Sequence, residues 1–215
     1  MQRALALSLI QVYAEITTRS EEEEVSKPIL FFIDEPETFL HPKAQNMLIE
    51  ALERISGTSQ IFIITHSPYL LRKYHKSTHS LNVFSKECGY NKVVIGKEFD
   101  LFGSYSPTWG EINYFAFEVL STEFHNELYG FAQAKAIIID EKYYRPKDFD
   151  DYLVSNGIAK DQKYKQLKAD KSIEEYDTTL PTKIRNIIHH PENSNNSFSE
   201  NELKRSIEML INIFL

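Results

Sequence analysis

The sequence predicts an α/β fold with a parallel sheet over residues 1–100, followed by an α-helical region over residues 101–215. Residues 29–33 (ILFFI) are continuously apolar, and residues 60–65 (QIFIIT) are predicted to form a second buried strand. The amphipathic segment 40–55 lies between them and is typical of a helix that ends at the following glycine. A strand, a helix and a strand in this order place the two strands parallel to each other.

The other elements follow from the periodicity of the apolar residues. A buried helix is predicted over residues 2–17, and a hairpin is predicted from strands 81–85 and 91–95 around Gly89. The helix over 40–55 is expected to face the core with Ala44, Met47, Leu48, Ala51, Leu52 and Ile55. In the second region we predict helices at about 111–121, 123–139, 147–155, 180–189 and 199–214, and we interpret the rest of 140–178 as a long loop. Ser199 and Glu202 have capping-box spacing for the last helix.

Composition excludes several classes of protein. The net charge is −7 and the sequence pI is about 5.5, which disfavours a nucleic-acid surface spread over the whole chain. Cys88 is the single cysteine, so no intrachain disulfide forms, and a reducing compartment fits best. No apolar run approaches the ~20 residues that a membrane helix needs. We therefore expect a soluble, cytoplasmic protein without a membrane partner.

Charged side chains follow both predicted parallel strands. Asp34 and Glu35 come directly after the first strand, and His66 comes directly after the second. Because parallel strands end at the same edge of a sheet, these side chains are expected to share one site. A strand-end aspartate can hold Mg²⁺ through water, an adjacent glutamate can polarise a water molecule, and a histidine can donate to a phosphate oxygen. Taken singly, the carboxylates also fit a helix-capping turn and the histidine a structural role.

The strings ILFFIDEPETFLHP and IFIITHSPYLL carry a family resemblance. They resemble the Walker B strand with its D-loop, and the switch-histidine segment, of ABC/SMC-like ATPases. These are P-loop, AAA-type enzymes that act in chromosome maintenance, DNA repair and phage defence. The resemblance implies ATP and Mg²⁺ as cofactors. It assigns the Mg²⁺-side carboxylate to Asp34, the water-polarising role to Glu35 and γ-phosphate sensing to His66.

The resemblance also implies a partner, because part of the family's nucleotide site is missing. Glu37, Leu40, His41 and Pro42 match the loop that meets the second ATPase subunit in the family. No G-x-x-x-x-G-K-[ST] phosphate loop occurs in the sequence, and Gln2 and Arg3 resemble residues that follow the family's signature motif. We therefore expect a truncated gene product, an engineered fragment or one part of a split protein. Its ATP site would need an N-terminal ATPase portion or a second subunit, and the full-length form is expected to be a homo-oligomer.

A polar cluster lies near the end of the chain, in the string IRNIIHHPEN. On a helix, Arg185, Asn186, His189 and His190 are expected to share an outward face opposite an isoleucine stripe. Arginine and histidine together can bind a phosphodiester and move protons on a 2′-hydroxyl. The pattern Arg185-Asn186-x-x-x-His190 resembles the motif of HEPN-type ribonucleases, which implies a HEPN-like domain from about residue 145. The alternative is a polar helix face that ends at a proline.

Three hypotheses of function follow. The first is an ATPase whose nucleotide cycle drives dimerisation or controls an effector, such as a nuclease. The second is a HEPN-type ribonuclease, acting on RNA, that the ATPase half regulates. The third is a non-catalytic interaction module. Residues 107–131 resemble the linker of phage-defence ATPases of the Septu and retron-associated kind, which favours an anti-phage role. His125 in that segment is expected to be structural.

Overall fold

The computed structural model describes residues 29–87, 89–96 and 99–214. The chain forms two compact units, Met1–His79 and Ser80–Leu215, and each is described here by itself. The predicted helix over 2–17, the residues Gln2 and Arg3 within it, and Cys88 lie outside the described residues. The predicted functional boundary at residue 100 stays a prediction.

The first unit is built on a parallel pair of strands joined by a helix. Its elements are β1 (Ile29–Asp34), α1 (Pro42–Ser56) and β2 (Ser59–Ile64). The strands pair in parallel, with Asp34 opposite Ile64 at the end of the ladder. A short 3₁₀ turn, Pro68–Leu71, follows β2. The predicted strand, helix and strand are therefore confirmed, and so is their parallel arrangement.

Helix α1 covers one face of the strand pair. Its buried residues are Leu48, Ile49, Leu52 and Ile55, and Ile33 of β1 packs against this cluster. The prediction that Met47 faces inward was wrong, because its side chain is 64% exposed. The buried stripe follows i, i+1, i+4 and i+7 from residue 48, which leaves position 47 on the solvent side.

The opposite face of the strand pair is apolar and exposed. Leu30, Phe32, Phe62 and Ile64 are all exposed, Phe32 to 75%. The Phe32 and Phe62 rings stack on each other with their centroids 4.7 Å apart. The sequence predicted a strand covered on both faces, and in the described part of the chain only the α1 face is covered. Parallel sheets are normally covered on both faces, so this pair has the character of part of a larger sheet.

The second unit combines helices with two antiparallel hairpins. The first hairpin, β3 (Asn82–Glu87) with β4 (Tyr90–Ile95), turns at Gly89, whose φ of 85° favours glycine. The helices are α2 (Trp109–Phe117), α3 (Thr122–Ile139), α4 (Pro146–Ser155), α5 (Leu180–His189) and α6 (Glu200–Asn212). The predicted hairpin and helices are confirmed within a few residues, as is the capping box of Ser199 and Glu202. No helix of the described residues is long and apolar enough to cross a membrane.

The long loop predicted within 140–178 was wrong, because it contains the second hairpin. Strands β5 (Gln162–Leu167) and β6 (Ile173–Thr178) pair in antiparallel register. Their sequences, QKYKQL and IEEYDT, carry too few apolar residues to show an alternating pattern. Cross-strand pairs stabilise the hairpin instead, since Lys163 Nζ lies 2.6 Å from Asp177 Oδ1 and the two residues are register partners. The second region is therefore not purely helical.

Helix α3 is the centre of the second unit's core. Phe124, Leu128, Ala132 and Ala136 follow one another at four-residue intervals and are essentially inaccessible to solvent. The other helices pack around this stripe and contribute Phe149, Leu153, Leu180, Ile184, Leu203, Ile207 and Leu210. His125 is buried as well, with its Nε2 2.8 Å from Ser206 Oγ of α6. Burial lowers the pKa of His125 to about 4, so the ring is neutral at pH 7 and has the structural role that the sequence predicted.

Two glycines in helices of this unit provide a matched test of its packing. A Cβ at Gly110 would lie 2.6 Å from Cδ2 of the buried Phe124, whereas a Cβ at Gly130 meets nothing within 4 Å. We expect Gly110→Ala to lower the free energy of unfolding by about 1–3 kcal/mol through overpacking. Gly130→Ala should raise it by about 0.5–1 kcal/mol through helix propensity. Urea denaturation measures both, and an equal effect at the two positions would contradict the packing around Gly110.

Candidate functional site

The ends of β1 and β2 bring Glu35 and His66 to one edge of the strand pair. The Glu35 backbone N–H donates to the Ile64 carbonyl oxygen at 2.8 Å, which continues the pairing one residue beyond Asp34. The His66 Nε2 atom then lies 4.0 Å from Glu35 Oε1. The His66 side chain is 85% exposed, so its ring is accessible to a ligand as well as to the carboxylate. Of the three side chains that the sequence assigned to one site, Glu35 and His66 are therefore neighbours.

The backbone conformation of Glu35 is unusual and is held by its neighbours. Its φ is 43°, in the left-handed region that non-glycine residues rarely adopt. The Thr38 hydroxyl donates to Glu35 Oε2 at 3.1 Å, and the Thr38 N–H donates to the Glu35 carbonyl oxygen at 3.1 Å. Such local strain persists where the surrounding contacts stabilise it, and it is typical of functional sites. Asp34, one residue earlier, is exposed at the strand end.

Glu37 links the loop after β1 to the segment after β2. It is buried, and its Oε1 accepts a hydrogen bond from Thr65 Oγ1 at 2.5 Å and from the His66 N–H at 3.3 Å. The network continues through Ser67, whose hydroxyl donates to Gln45 Oε1 of α1 at 2.9 Å. Sequence reasoning assigned Glu37 only to the loop that meets a partner. Its burial could not be predicted from the sequence, because Glu37 lies in a loop, where no periodic pattern shows which side chains are buried.

The donors at this edge fit one side of a Mg-ATP site. Asp34 and Glu35 supply carboxylate oxygens, the ligands that Mg²⁺ prefers. Within residues 29–87, 89–96 and 99–214 no cluster of three or more His, Cys, Asp or Glu side chains could hold a metal ion alone. The sequence supplies no phosphate loop, so these residues fit the metal and γ-phosphate side only.

A separate cavity of about 620 Å³ lies in the second unit, and the predicted tail residues line it. Its wall includes Arg185, Asn186 and His190, together with residues of the β5–β6 hairpin and of α4. His189 is exposed and is not part of that wall. His190 caps the end of α5 with φ −127° and ψ 62°, so it has left the helical path. This departure explains why His190, and not His189, shares the cavity with Arg185.

The predicted outward face of α5 was wrong for Asn186. This residue is only 7% exposed, and its Nδ2 donates to the Tyr176 hydroxyl at 3.4 Å. Arg185 Nη1 donates to Asn186 Oδ1 at 3.1 Å. The β5–β6 hairpin, which sequence reasoning missed, therefore covers part of the face that was expected to be open. Partial burial, with smaller contributions from Arg185 and His190, lowers the pKa of His189.

A buried aspartate anchors the helix that carries these residues. Asp150 of α4 is 3% exposed, and its Oδ1 accepts from the Thr179 N–H at 3.0 Å and from the Thr179 hydroxyl at 2.6 Å. Thr179 is the N-cap of α5, so Asp150 fixes the start of that helix. Lys160 Nζ lies 3.1 Å from Asp150 Oδ2 and balances the buried charge. At the other end of α5, His190 Nδ1 lies 3.2 Å from Glu192 Oε1.

Comparisons with known proteins bear on the first unit. Residues 1–71 match the AAA ATPase domain. The chain is also 36% identical over 109 residues to the Old nuclease of Escherichia phage P2, an alignment that covers 49% of this chain and 18% of that protein. The chain thus spans less than a fifth of that relative's length. No solved structure matches the chain. The match supports the resemblance of residues 1–71 to AAA-type ATPases that the sequence predicted.

The Glu37 network gives a prediction about the geometry of the strand ends. Glu37→Ala leaves the Thr65 hydroxyl and the His66 N–H without their acceptor, so we expect the free energy of unfolding to fall by about 1–3 kcal/mol. Glu37→Gln retains an acceptor oxygen, so its free energy of unfolding should fall by less than that of Glu37→Ala. Glu53→Ala, at an exposed position of α1, is the control and should stay within about 0.5 kcal/mol. Denaturation curves measure stability, and the His66 amide resonance reports its hydrogen bond. An unchanged chemical shift of the His66 amide in Glu37→Ala would contradict the hydrogen bond between the Glu37 carboxylate and the His66 N–H.

Proposed function

We propose that this chain supplies the catalytic carboxylates and the γ-phosphate-sensing histidine of an ATP-hydrolysing site. The observation that carries the proposal is the 4.0 Å approach of His66 Nε2 to Glu35 Oε1 at the ends of two parallel strands. Ligands of open parallel sheets bind at that edge. The match of residues 1–71 to an AAA ATPase domain supports the same assignment.

Each side chain has a distinct role in the proposed reaction. Glu35 accepts a hydrogen bond from the attacking water and orients it toward the γ-phosphate. His66 donates a hydrogen bond to a γ-phosphate oxygen, where negative charge develops during transfer. Asp34 would hold Mg²⁺, and the cation when bound would neutralise charge on the phosphates. Glu37 positions His66 through the backbone and does not touch the nucleotide.

The phosphate loop of this site comes from an additional ATPase segment or subunit. The exposed apolar face of β1 and β2, with its Phe32–Phe62 stack, supports such a partner because it offers a surface on which further elements can pack. Phe39 supports a contact at the loop that follows β1, since it is 96% exposed and has a φ of 66°. We propose that ATP-dependent association at this loop drives dimerisation and controls an effector. The resemblance of residues 107–131 to linkers of phage-defence ATPases supports a role in anti-phage defence.

The test is Glu35→Gln in the assembly completed by the phosphate-loop segment. We expect ATP binding to be retained and hydrolysis to fall by about 10²-fold or more, because the water loses its polarising carboxylate. Glu53→Gln, an exposed glutamate of α1, is the matched control and should hydrolyse ATP at the wild-type rate. Steady-state phosphate release and equilibrium ATP binding are the measurements. Wild-type turnover in Glu35→Gln would remove this residue from the mechanism.

The cavity in the second unit favours a second candidate function, a HEPN-type ribonuclease. It gathers Arg185, Asn186 and His190 on one wall. Arg185 would hold the phosphodiester, and His190 would transfer a proton at the 2′-hydroxyl or the leaving group. The Glu192 carboxylate, 3.2 Å from His190 Nδ1, would orient that ring. An interaction module without chemistry is the remaining alternative.

Cleavage of total RNA and tRNA tests this candidate. Arg185→Ala and His190→Ala should each abolish cleavage, and the double variant should be little worse, because the two groups act in one step. His189→Ala removes the neighbouring histidine, which does not line the cavity, and should keep cleavage. ATP turnover of the completed assembly should be unchanged in all four variants. If the wild type leaves RNA intact both with and without ATP, the ribonuclease hypothesis is wrong and the interaction module remains.

A further inference from the structure

The cavity beside Arg185 has an aromatic wall that the proposed cleavage chemistry does not use. The β5–β6 hairpin contributes Tyr164 and Tyr176 to the lining. The volume of about 620 Å³ lies in the range of roughly 300–1,000 Å³ that small-ligand sites occupy. A cavity of this size has room for a ligand as large as a nucleotide.

Of the four Lys and Arg side chains that line the cavity, Lys147 and Arg185 make no ion pair within the described residues, and Arg185 is the one beside Asn186. Lys160 is paired with Asp150 at 3.1 Å, and Lys168 with Glu174 at 2.7 Å. Arg185 donates to the neutral Asn186 side chain, and no carboxylate of the described residues lies within ion-pair distance of it. A partly buried guanidinium with free donors is suited to bind a phosphate.

Tyr176 presents an aromatic ring next to that cation. Its side chain is about one-third exposed, at 36%, and its ring packs against the buried Tyr164 with centroids 5.6 Å apart. The Tyr176 hydroxyl accepts a hydrogen bond from Asn186, whose carbonyl oxygen accepts one from Arg185. Burial raises the pKa of Tyr176, so its hydroxyl is neutral and does not repel a phosphate. Asn186 thus holds a cation and an aromatic ring side by side.

We propose that Tyr176 is a base-binding residue, which stacks an unpaired nucleobase of a single-stranded nucleic acid whose phosphate contacts Arg185. A nucleotide presents a phosphate and a flat base close together. On this wall the Arg185 guanidinium can bind the phosphate, and the Tyr176 ring can stack on the base. Stacking on an aromatic side chain tolerates every base, so the site selects unpaired strands and not a sequence. The net charge of −7 is compatible with it, because the contact is confined to one cavity. The inference uses the cavity of the ribonuclease candidate but does not require cleavage.

Binding of a short, unstructured, fluorescent RNA, and of DNA of the same sequence, to the full chain tests the proposal. Tyr176→Phe keeps the aromatic face and should bind within about twofold of the wild type. Tyr176→Leu fills similar space without a π-face, and its affinity should fall at least about fivefold. The matched control is Tyr90→Leu, an exposed tyrosine on the other hairpin, which should bind like the wild type. Tight binding of either strand meets the expectation, since the shared chemistry is an unpaired nucleotide.

Fluorescence of 2-aminopurine in the bound strand gives a readout that a loosened hairpin would not mimic. Stacking on the ring should quench the probe with the wild type and with Tyr176→Phe, but not with Tyr176→Leu. Absence of saturable binding by the wild type would overturn the proposal. So would equal affinity of wild type and Tyr176→Leu, an equal loss with Tyr90→Leu, or an unquenched probe in the wild-type complex. Bound but uncleaved RNA would contradict the ribonuclease alone, whereas cleavage independent of Tyr176 would contradict the stacking site alone.

Discussion

The parallel pairing of β1 with β2 is the constraint on which the first unit depends. Its register places Asp34 opposite Ile64, and the next hydrogen bond, from Glu35 to Ile64, decides where the second carboxylate lies. In a strand, a slip of one residue moves each side chain to the opposite face of the sheet. Such a slip would carry Glu35 away from His66 and put the apolar residues that pack on α1 into solvent. The core and the candidate site are therefore fixed by the same ladder.

In the second unit, polar contacts position helix α5 and the side chains that it carries. A buried carboxylate, Asp150, fixes the first turn of α5, and the non-helical backbone at His190 fixes its end. Between these two points the helix buries Ile184 in the core and presents Arg185 to the cavity. Side-chain amides then connect α5 to the hairpin through Tyr176. Because hydrogen bonds are directional, the relative positions of these groups depend on them as well as on packing.

The elements that the sequence predicted correctly are those with a clear periodicity of apolar residues or with a short local motif. The apolar runs of β1 and β2, the stripe of α1 and the capping box of α6 are of this kind, and they also placed Glu35 near His66. The β5–β6 hairpin was not predicted from the sequence. Pairs of lysine, glutamate and tyrosine side chains across the strands stabilise it, and these partners are not adjacent in sequence. The contacts of Glu37 and Tyr176 could not be predicted for the same reason. Each contact spans many residues, 28 positions in the case of Glu37 and Thr65.

The exposed face of the first strand pair has a consequence for the supply of this protein in the cell. Flat apolar strands with unpaired edges are templates for edge-to-edge aggregation. Phe32 and Phe62 form such a surface with Leu30 and Ile64, and the charged residue of β1 on that face is Asp34, at the end of the strand. A chain made in excess of whatever covers this face would be a substrate for chaperones and proteases. If a second chain covers the face, the abundance of this protein would follow the abundance of that chain, because quality control would remove the uncovered excess.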